Sequence, residues 1–106
     1  MSLKKIYEYQ INISKDLDME DCFVITTPGI PDILKIGILY NHVIKVWAMV
    51  DLEADNYLTK IRVLGTGATV HEGDEYLGTA YDPDVEMVWH VFKCKEQAAE
   101  GGEEEA

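Results

Sequence analysis

The chain has 106 residues, 47% of them hydrophobic, and a formal net charge of −11 at pH 7. This length is expected to form a single domain, and the apolar content is that of a globular protein rather than a disordered one. No run of about 18 apolar residues occurs, which excludes a transmembrane helix, and no apolar segment of a secretory signal follows Lys4 and Lys5.

The acidic residues are enriched at the C-terminus. Five of the 20 lie in residues 96–106, which contain no basic residue. We predict a single domain over residues 1–95 and a disordered acidic tail over residues 96–106. The domain keeps 15 acidic against nine basic residues, a net charge of −6. Because phosphate groups are recognised through Lys and Arg, this balance argues against binding to nucleic acids or to an anionic membrane.

The first half of the chain has the side-chain pattern of strands. Residues 5–13 alternate apolar and polar side chains, which is typical of a half-buried strand. Residues 15–21 are acidic and predict a loop or one helical turn. Residues 22–26 are rich in β-branched side chains and predict a second strand, which the turn residues Pro28-Gly29 terminate.

Two apolar runs follow, at residues 33–39 and 43–52, around Tyr40-Asn41-His42. Asparagine tolerates positive φ, so these three residues predict a tight hairpin turn. Residues 43–50 form the most hydrophobic run of the chain. We predict that they form a central strand covered on both of its faces.

The second half adds three more predicted strands. Residues 51–58 are polar and predict a loop, and residues 60–64 predict a strand that ends at Gly65-Thr66-Gly67. Residues 76–81 and 85–92 predict a second hairpin, with its turn at Asp82-Pro83-Asp84. The fold class we expect is all-β: six to seven short antiparallel strands in a small sandwich or barrel.

The two cysteines are far apart in sequence and have no CxxC spacing. With no secretory signal, we expect free thiols in a reducing cytoplasm. Cys94 occupies a strand position, where a buried and inert thiol is the usual outcome. No base is placed beside either cysteine by the sequence, so neither is predicted to be catalytic.

Gly65-Thr66-Gly67 resembles a fragment of a phosphate-binding loop. The dinucleotide fingerprint GxGxxG opens a helix, whereas here the third glycine position is Val70 and no helix is predicted to follow. Two interpretations remain open. The glycines supply positive φ or a bulge at the end of a strand, or the backbone N–H groups cradle a small anion with Thr66 as a hydroxyl donor.

Two histidines are candidate functional residues. His71 lies in a loop with Glu72, Asp74 and Glu75, a set adequate for a divalent metal but without HxH or HExxH spacing; a solvated loop is the alternative. His90 is expected on a strand face with Val88, Phe92 and Cys94, as a core or interface histidine with one hydrogen-bond partner. It would act as an acid or base only where a polar cleft reaches it.

These observations define a candidate ligand-binding set without a catalytic motif. No GxSxG elbow, Walker sequence or Ser-His-Asp spacing is present, so we predict a protein that is not an enzyme. We predict no catalytic residue, no metal site and no cofactor. The candidate ligand-binding residues are Arg62, which is the single arginine, and Gly65, Thr66, Gly67, His71 and His90.

Several segments together resemble a small uncharacterised domain family encoded by tailed phages and prophage-bearing bacteria. The order and spacing match over about residues 4–93. The family pattern has a His-Pro after the G-T-G segment, where this chain has Ala68 and Thr69. The resemblance implies a bacterial cytoplasm as the setting, and no mechanism. The segments are Lys5-Ile6-Tyr7-Glu8-Tyr9, Val46-Trp47-Ala48-Met49-Val50-Asp51, Arg62-Val63-Leu64-Gly65-Thr66-Gly67, Tyr76-Leu77-Gly78-Thr79 and Val88-Trp89-His90-Val91-Phe92.

Three functions from different classes follow from these observations. The first is a phage-type accessory protein that binds a host protein or a small ligand, for example in counter-defence; it predicts a pocket near the loop from Gly65 to Gly73, or an exposed apolar patch. The second is a minor virion or assembly component, and the third is a small enzyme that uses His90 or His71. Pairing of sheet edges into a homo-oligomer fits the first two.

Overall fold

The computed structural model describes residues 3–39 and 42–95. Within them the chain forms seven strands, and every strand pair is antiparallel, so the predicted all-β class is confirmed. The predicted tail, residues 96–106, lies outside the described residues. The strands are β1 (Lys4–Asn12), β2 (Cys22–Pro28), β3 (Asp32–Leu39), β4 (Val43–Asp51), β5 (Asn56–Gly65), β6 (Glu75–Asp82) and β7 (Met87–Lys93).

The strands are divided between two sheets that pack face to face. One sheet has the order β1-β4-β3 and the other the order β2-β5-β7-β6. Alternate residues of each strand point into the space between the sheets, as strand geometry requires. Of the two predicted architectures, the sandwich is the one that forms. The buried core contains Ile11, Phe23, Ile25, Ile36, Ile44, Val46, Ile61, Val63, Ala80 and Val91.

The prediction for the most hydrophobic run is half correct. β4 is the central strand of its sheet, but the prediction that both of its faces are covered is wrong. Ile44 and Val46 are 0% exposed, whereas the alternating residues, among them Trp47, remain half-buried. On the outer face the Trp47 ring packs over Gly37, where a Cβ atom would lie 2.9 Å from it.

The sandwich is closed on one side and open on the other. β3 and β6 lie against each other, and a Cβ atom added at Gly78 would come within 2.8 Å of the Ile36 side chain. On the opposite side a groove of about 340 Å³ separates β1 from β2. The Tyr9 hydroxyl crosses this groove and donates a hydrogen bond of 3.3 Å to the Thr26 carbonyl oxygen.

The chain reverses direction after β2 as predicted, and the first predicted hairpin is confirmed by its strand pairing. Gly29 adopts a φ of +73° in the turn after β2. The first hairpin forms with Leu39 opposite Val43; Tyr40 and Asn41 lie outside the described residues. Residues 15–21 form turns and bends rather than a helical turn.

Two strand ends differ from the predicted ones. Residues 56–58, predicted as loop, belong to β5 because they pair with β2. The turn after β6 continues through Glu86, which has a φ of +54°, so residues 85–86 are not part of β7. In the described part of the chain, no helix has the length and hydropathy needed to cross a bilayer.

Candidate functional site

Two candidate sites lie side by side on the outer face of the four-stranded sheet, and the predicted ligand-binding residues are divided between them. The first, the His90 pocket, has a volume of about 240 Å³. The second, the Arg62 cluster, surrounds a cavity of about 320 Å³. The His90 pocket is lined by Leu64, Gly65, Thr66, Gly67, Ala68, Val70, His90 and Phe92. The Arg62 cluster comprises Glu20, Lys60, Arg62, His71, Glu72, Asp74, Cys94 and Lys95, together with Cys22, whose sulfur contacts that of Cys94.

The ladder between β5 and β7 fixes both positions. Leu64 lies opposite His90, and Arg62 lies opposite Phe92. The residues between them, such as Val63 and Val91, point into the core, so these four side chains project from the outer face. His90 is therefore half-buried on the outer face of the sandwich and not in the core, and it has two hydrogen-bond partners where one was expected. The alternative of an interface histidine stays a prediction.

His90 is the centre of a chain of hydrogen bonds. Its Nε2 lies 2.9 Å from the Thr66 hydroxyl and its Nδ1 lies 3.2 Å from the Thr79 hydroxyl. The Thr79 hydroxyl is in turn 2.5 Å from the Tyr76 hydroxyl. Because a hydroxyl both donates and accepts, a neutral imidazole is satisfied here in either tautomer. The site can therefore exchange hydrogen-bond donors and acceptors without a change of charge.

Thr79 and Tyr76 were not among the predicted site residues, because a β-bulge brings them together. Residues three apart in a regular strand lie on opposite faces. The register of β6 against β7 shifts between Tyr76 and Gly78, so that Tyr76 lies opposite Phe92 and Thr79 opposite His90. Glycine inside a strand is a signal for a bulge, and Gly78 was the residue that could have revealed it.

The loop after β5 forms one wall of the pocket. The Ala68 N–H donates to the Gly65 carbonyl oxygen at 3.1 Å, which closes a turn. Gly67 has a φ of +97°, and a Cβ atom there would meet nothing within 4 Å. Glycine therefore serves here through its backbone conformation and not through its small size. The predicted positive φ is confirmed at Gly67 but not at Gly65. The alternative, an N–H cradle for an anion, stays a prediction.

The other walls of the pocket are apolar. Leu64 is 7% exposed at its base, and Val70 is 50% exposed at its rim. The Phe92 ring packs edge-on against Tyr76, with 5.6 Å between the ring centroids. Binding pockets typically combine such apolar walls with a few polar groups that orient the ligand. The pocket suits a small apolar group that carries one hydrogen-bonding function.

In the Arg62 cluster, by contrast, the two buried charges are paired with each other. The Arg62 and Asp74 side chains are only 6% and 4% exposed and form an ion pair. The second Asp74 oxygen accepts the Lys95 backbone N–H at 2.9 Å, and Arg62 Nε donates to the Glu20 carbonyl oxygen at 3.3 Å. Arg62 therefore holds two loops against the sheet, and its hydrogen-bonding capacity serves the fold.

The two thiols meet beneath this cluster. The Cys22 and Cys94 sulfur atoms are 3.9 Å apart, and the residues are 1% and 3% exposed. Both are free cysteines, and the prediction of a buried thiol is confirmed. Burial, with a smaller effect from Cys22, raises the pKa of Cys94 to about 12. A thiol with this pKa is a poor nucleophile at neutral pH.

The loop that carries His71 is only partly solvated. His71 and Glu72 are exposed, but Asp74 is drawn under the loop by Arg62, so the expectation of a fully solvated loop is wrong at this residue. Across residues 3–39 and 42–95, no three His, Cys, Asp or Glu side chains are grouped so as to hold a metal ion.

A third histidine has a carboxylate partner that the sequence did not reveal. His42 Nδ1 lies 2.7 Å from an Asp82 oxygen, and Asp82 is 0% exposed. The hydrogen bond from His42 lowers the pKa of Asp82 against the opposing effect of burial, and the Asp84 N–H assists at 3.1 Å. The pair joins the start of β4 to the end of β6. Forty residues separate the two partners, so no local spacing could have indicated it.

The fold and the pocket define a small antiparallel sandwich domain with one concave, largely apolar site on a sheet face. The chain belongs to a family of uncharacterised domains, described as domain of unknown function DUF7352, whose model matches residues 2–102. Searches of the curated proteins and of the solved structures gave no match. Membership of an uncharacterised domain family is thus confirmed, while the phage origin and the motif pattern stay predictions.

Proposed function

We propose that this domain is a non-enzymatic binding protein and that the His90 pocket is its ligand site. The observation that supports this most directly is the combination of apolar walls with the hydrogen-bonded pair of His90 and Thr66, 2.9 Å apart. A pocket of about 240 Å³ accommodates a small ligand, or a single side chain of a partner protein. The ligand that fits has an apolar body and one group that both donates and accepts hydrogen bonds.

The phage setting belongs to the same proposal. The resemblance of five sequence segments to a phage-encoded family supports an accessory role in a bacterial cytoplasm. The acidic composition, with a net charge of −11, supports a host protein with a basic surface as the partner that presents the bound side chain. Counter-defence by occlusion of that partner is the biological role we infer. The alternative is a minor virion or assembly component, which would be found in purified particles.

One observation favours an enzyme as the second candidate. A hydroxyl within hydrogen-bonding reach of an imidazole is the arrangement of an activated nucleophile, and Thr66 and His90 have it. Both ring nitrogens of His90 contact threonine hydroxyls, however, and within residues 3–39 and 42–95 no carboxylate orients the ring or stabilises the imidazolium. This difference makes binding the preferred function.

Native mass spectrometry of protein purified gently from a bacterial host distinguishes these functions. We expect the wild-type protein to carry additional mass, either a small molecule or a host protein, that is lost on denaturation. His90→Gln should lose this mass, while His71→Gln, a change in the exposed neighbouring loop, should retain it. Added mass that survives denaturation and maps to Thr66 would establish covalent catalysis instead. A wild-type protein without any added mass, also after exposure to host lysate, would contradict the binding proposal.

A further inference from the structure

The sheet edges of the sandwich differ in how they are covered. The edges of β3 and β6 lie against each other. The edge of β2 is partly covered by side chains. The Asp18 side chain accepts a hydrogen bond from the Cys22 N–H at 3.0 Å, and the Tyr9 hydroxyl donates one to the Thr26 carbonyl oxygen. The first half of β1 is different, because its side chains from residue 4 to residue 8 are exposed on both faces. It is an open strand edge of the kind that pairs with other chains.

Two hydrogen bonds at the ends of the β1–β4 pair give the direction of the backbone groups along this edge. The Ile13 N–H donates to the His42 carbonyl oxygen at 2.9 Å, and the Leu52 N–H donates to that of Leu3 at 2.8 Å. In an antiparallel pair such bonds recur at every second residue, so the odd-numbered residues of β1 bond to β4. Lys4, Ile6 and Glu8 therefore direct their N–H and C=O groups away from the sheet. Among the described residues, these groups have no backbone partner.

We propose that the partner of this edge is a second copy of the chain, paired antiparallel through β1 with the two-fold axis at Ile6. Lys4 then lies opposite Glu8 of the second copy, twice by symmetry, and Ile6 lies opposite Ile6. Each of these three pairs exchanges two backbone hydrogen bonds. Ile6 is 61% exposed in the single chain, and the pairing gives it an apolar neighbour. The dimer has one continuous sheet, in the order β3-β4-β1-β1-β4-β3.

The charges of β1 select this register over its neighbours. An axis at Glu8 would place the two Glu8 side chains opposite each other, and an axis at Lys5 would oppose two lysines. An axis at Tyr7 would place Ile6 against Glu8. Like charges directly across a strand pair are destabilising, and opposite charges are favourable. Lysine on an edge usually prevents pairing, but at the Ile6 axis each Lys4 meets a carboxylate.

Glu8 is already positioned for this role. Its carboxylate lies 3.6 Å from the Lys45 amine on the adjacent strand β4. The hydrogen bond from Gln10 lowers the pKa of Glu8, and the positive charge of Lys45 lowers it further. The carboxylate is thus ionised at neutral pH and held on the outer face. In the dimer it would lie between Lys45 of its own chain and Lys4 of the second copy.

Sedimentation equilibrium over micromolar to submillimolar concentrations tests the interface. We expect the wild-type protein to dimerise, and Lys4→Glu to weaken the dimer by roughly tenfold or more, since it changes two attractive pairs into repulsive ones. The double variant Lys4→Glu/Glu8→Lys should restore much of the affinity. Lys35→Glu, the same charge change at an exposed position of β3, should have little effect. A wild-type protein that stays monomeric, or a dimer indifferent to Lys4→Glu, would overturn the proposal.

Ile6→Pro provides a test that does not depend on charge. The Ile6 N–H points away from β4, so proline removes no hydrogen bond of the single chain, and the variant should fold but remain monomeric. A folded Ile6→Pro protein that dimerises like the wild type would refute pairing through this edge. If this variant does not fold, the charge variants still decide the question.

Disulfide cross-linking of variants with one added cysteine in β1 tests the register of the dimer directly. A residue on the two-fold axis faces its own copy, so Ile6→Cys should form a disulfide-linked dimer under mild oxidation with oxidised glutathione. Glu8→Cys and Tyr7→Cys should cross-link poorly, because each lies opposite a different residue. The native Cys22 and Cys94 are buried and should contribute little. Equal cross-linking at all three positions, or preferential cross-linking at position 8, would refute the Ile6 register.

Discussion

The Arg62 cluster and the His90 pocket lie two residues apart along β5, yet the polar groups of the first are buried and paired while those of the second are open to solvent. Arg62 is 5% exposed, and its guanidinium is paired with Asp74. Thr66 is exposed, and the polar groups around His90 remain within reach of solvent. The loop between them belongs to both sites, since its first part lines the pocket and its end, at Asp74, is fixed by Arg62. The buried cluster therefore holds in place the wall that the open pocket requires.

Among the changes considered, replacement of Arg62 should lower the free energy of unfolding most. In Arg62→Met the Asp74 carboxylate stays buried without its cation, which typically costs about 3–5 kcal/mol. We expect the free energy of unfolding, measured by urea denaturation, to fall by that amount. Lys35→Met, which removes an exposed positive charge, should change it by less than about 0.5 kcal/mol.

The double variant Arg62→Met/Asp74→Leu separates pairing from packing. Replacing both partners by apolar side chains removes the stranded charge, and such replacements are often close to neutral. We expect the double variant to regain a large part of the stability that the single variant loses. If Arg62→Met alone is as stable as the wild type, the cluster does not hold the loop and the contrast with the His90 pocket fails.

The thiols beneath the cluster should report how well it excludes solvent. A pKa of about 12 for Cys94, against an ordinary value of 9.0, lowers the thiolate fraction near pH 8 by roughly a thousandfold. We expect the folded protein to react with a disulfide reagent far more slowly than the protein in urea. Thr66→Val, a change in the pocket, should leave this protection intact. Rapid labelling of native wild-type protein would contradict the burial described for the cluster.

The contrast extends to the histidines, because His42 has a buried carboxylate partner, whereas the hydrogen-bond partners of His90 in the described part of the chain are threonine hydroxyls. The pKa of Asp82 is lower in the folded protein than its ordinary value. Its contribution to stability is therefore complete above the unfolded pKa, about 4, and is lost as the pH falls through the lower folded value. We expect Asp82→Asn to flatten the acid limb of a pH–stability profile from urea denaturation. Asp32→Asn, at an exposed aspartate, should leave that limb unchanged; equal profiles for the wild type and Asp82→Asn would contradict the assignment.

Much of the fold could be predicted, because the alternation of side chains is a local property of a strand. The sequence alone could not distinguish a strand covered on both faces from one whose outer face is apolar. Residues 43–50 are nearly all apolar, and the structure shows that Trp47 on the outer face of β4 packs over Gly37 and beneath Lys45. The boundaries of β5 and β7 moved because strand pairing, and not composition, determines where a strand ends.

The candidate site was only half predictable. Gly65, Thr66, Gly67 and His90 were singled out, and they line one pocket. Their partner Thr79 was missed, because a bulge changes which residues share a face. Arg62 and His71 were grouped with them by sequence proximity, although the loop conformation places them in the neighbouring cluster. Pairs distant in sequence, such as His42 with Asp82, leave no local pattern at all.

Thr66→Val should have the smallest effect on stability, and it should separate the stability of the fold from ligand binding. This variant keeps the shape of an exposed side chain and replaces the hydroxyl that contacts His90 by a methyl group. We expect the free energy of unfolding to change by less than about 0.5 kcal/mol. Loss of one hydrogen bond to a ligand should nevertheless weaken ligand binding roughly tenfold, as measured by native mass spectrometry of the complex. Thr69→Val, in the same loop but outside the pocket lining, should change neither quantity. Unaltered binding by Thr66→Val would show that the ligand does not use the His90 pocket, whereas a large loss of stability would place Thr66 with Arg62 among the residues that hold the fold.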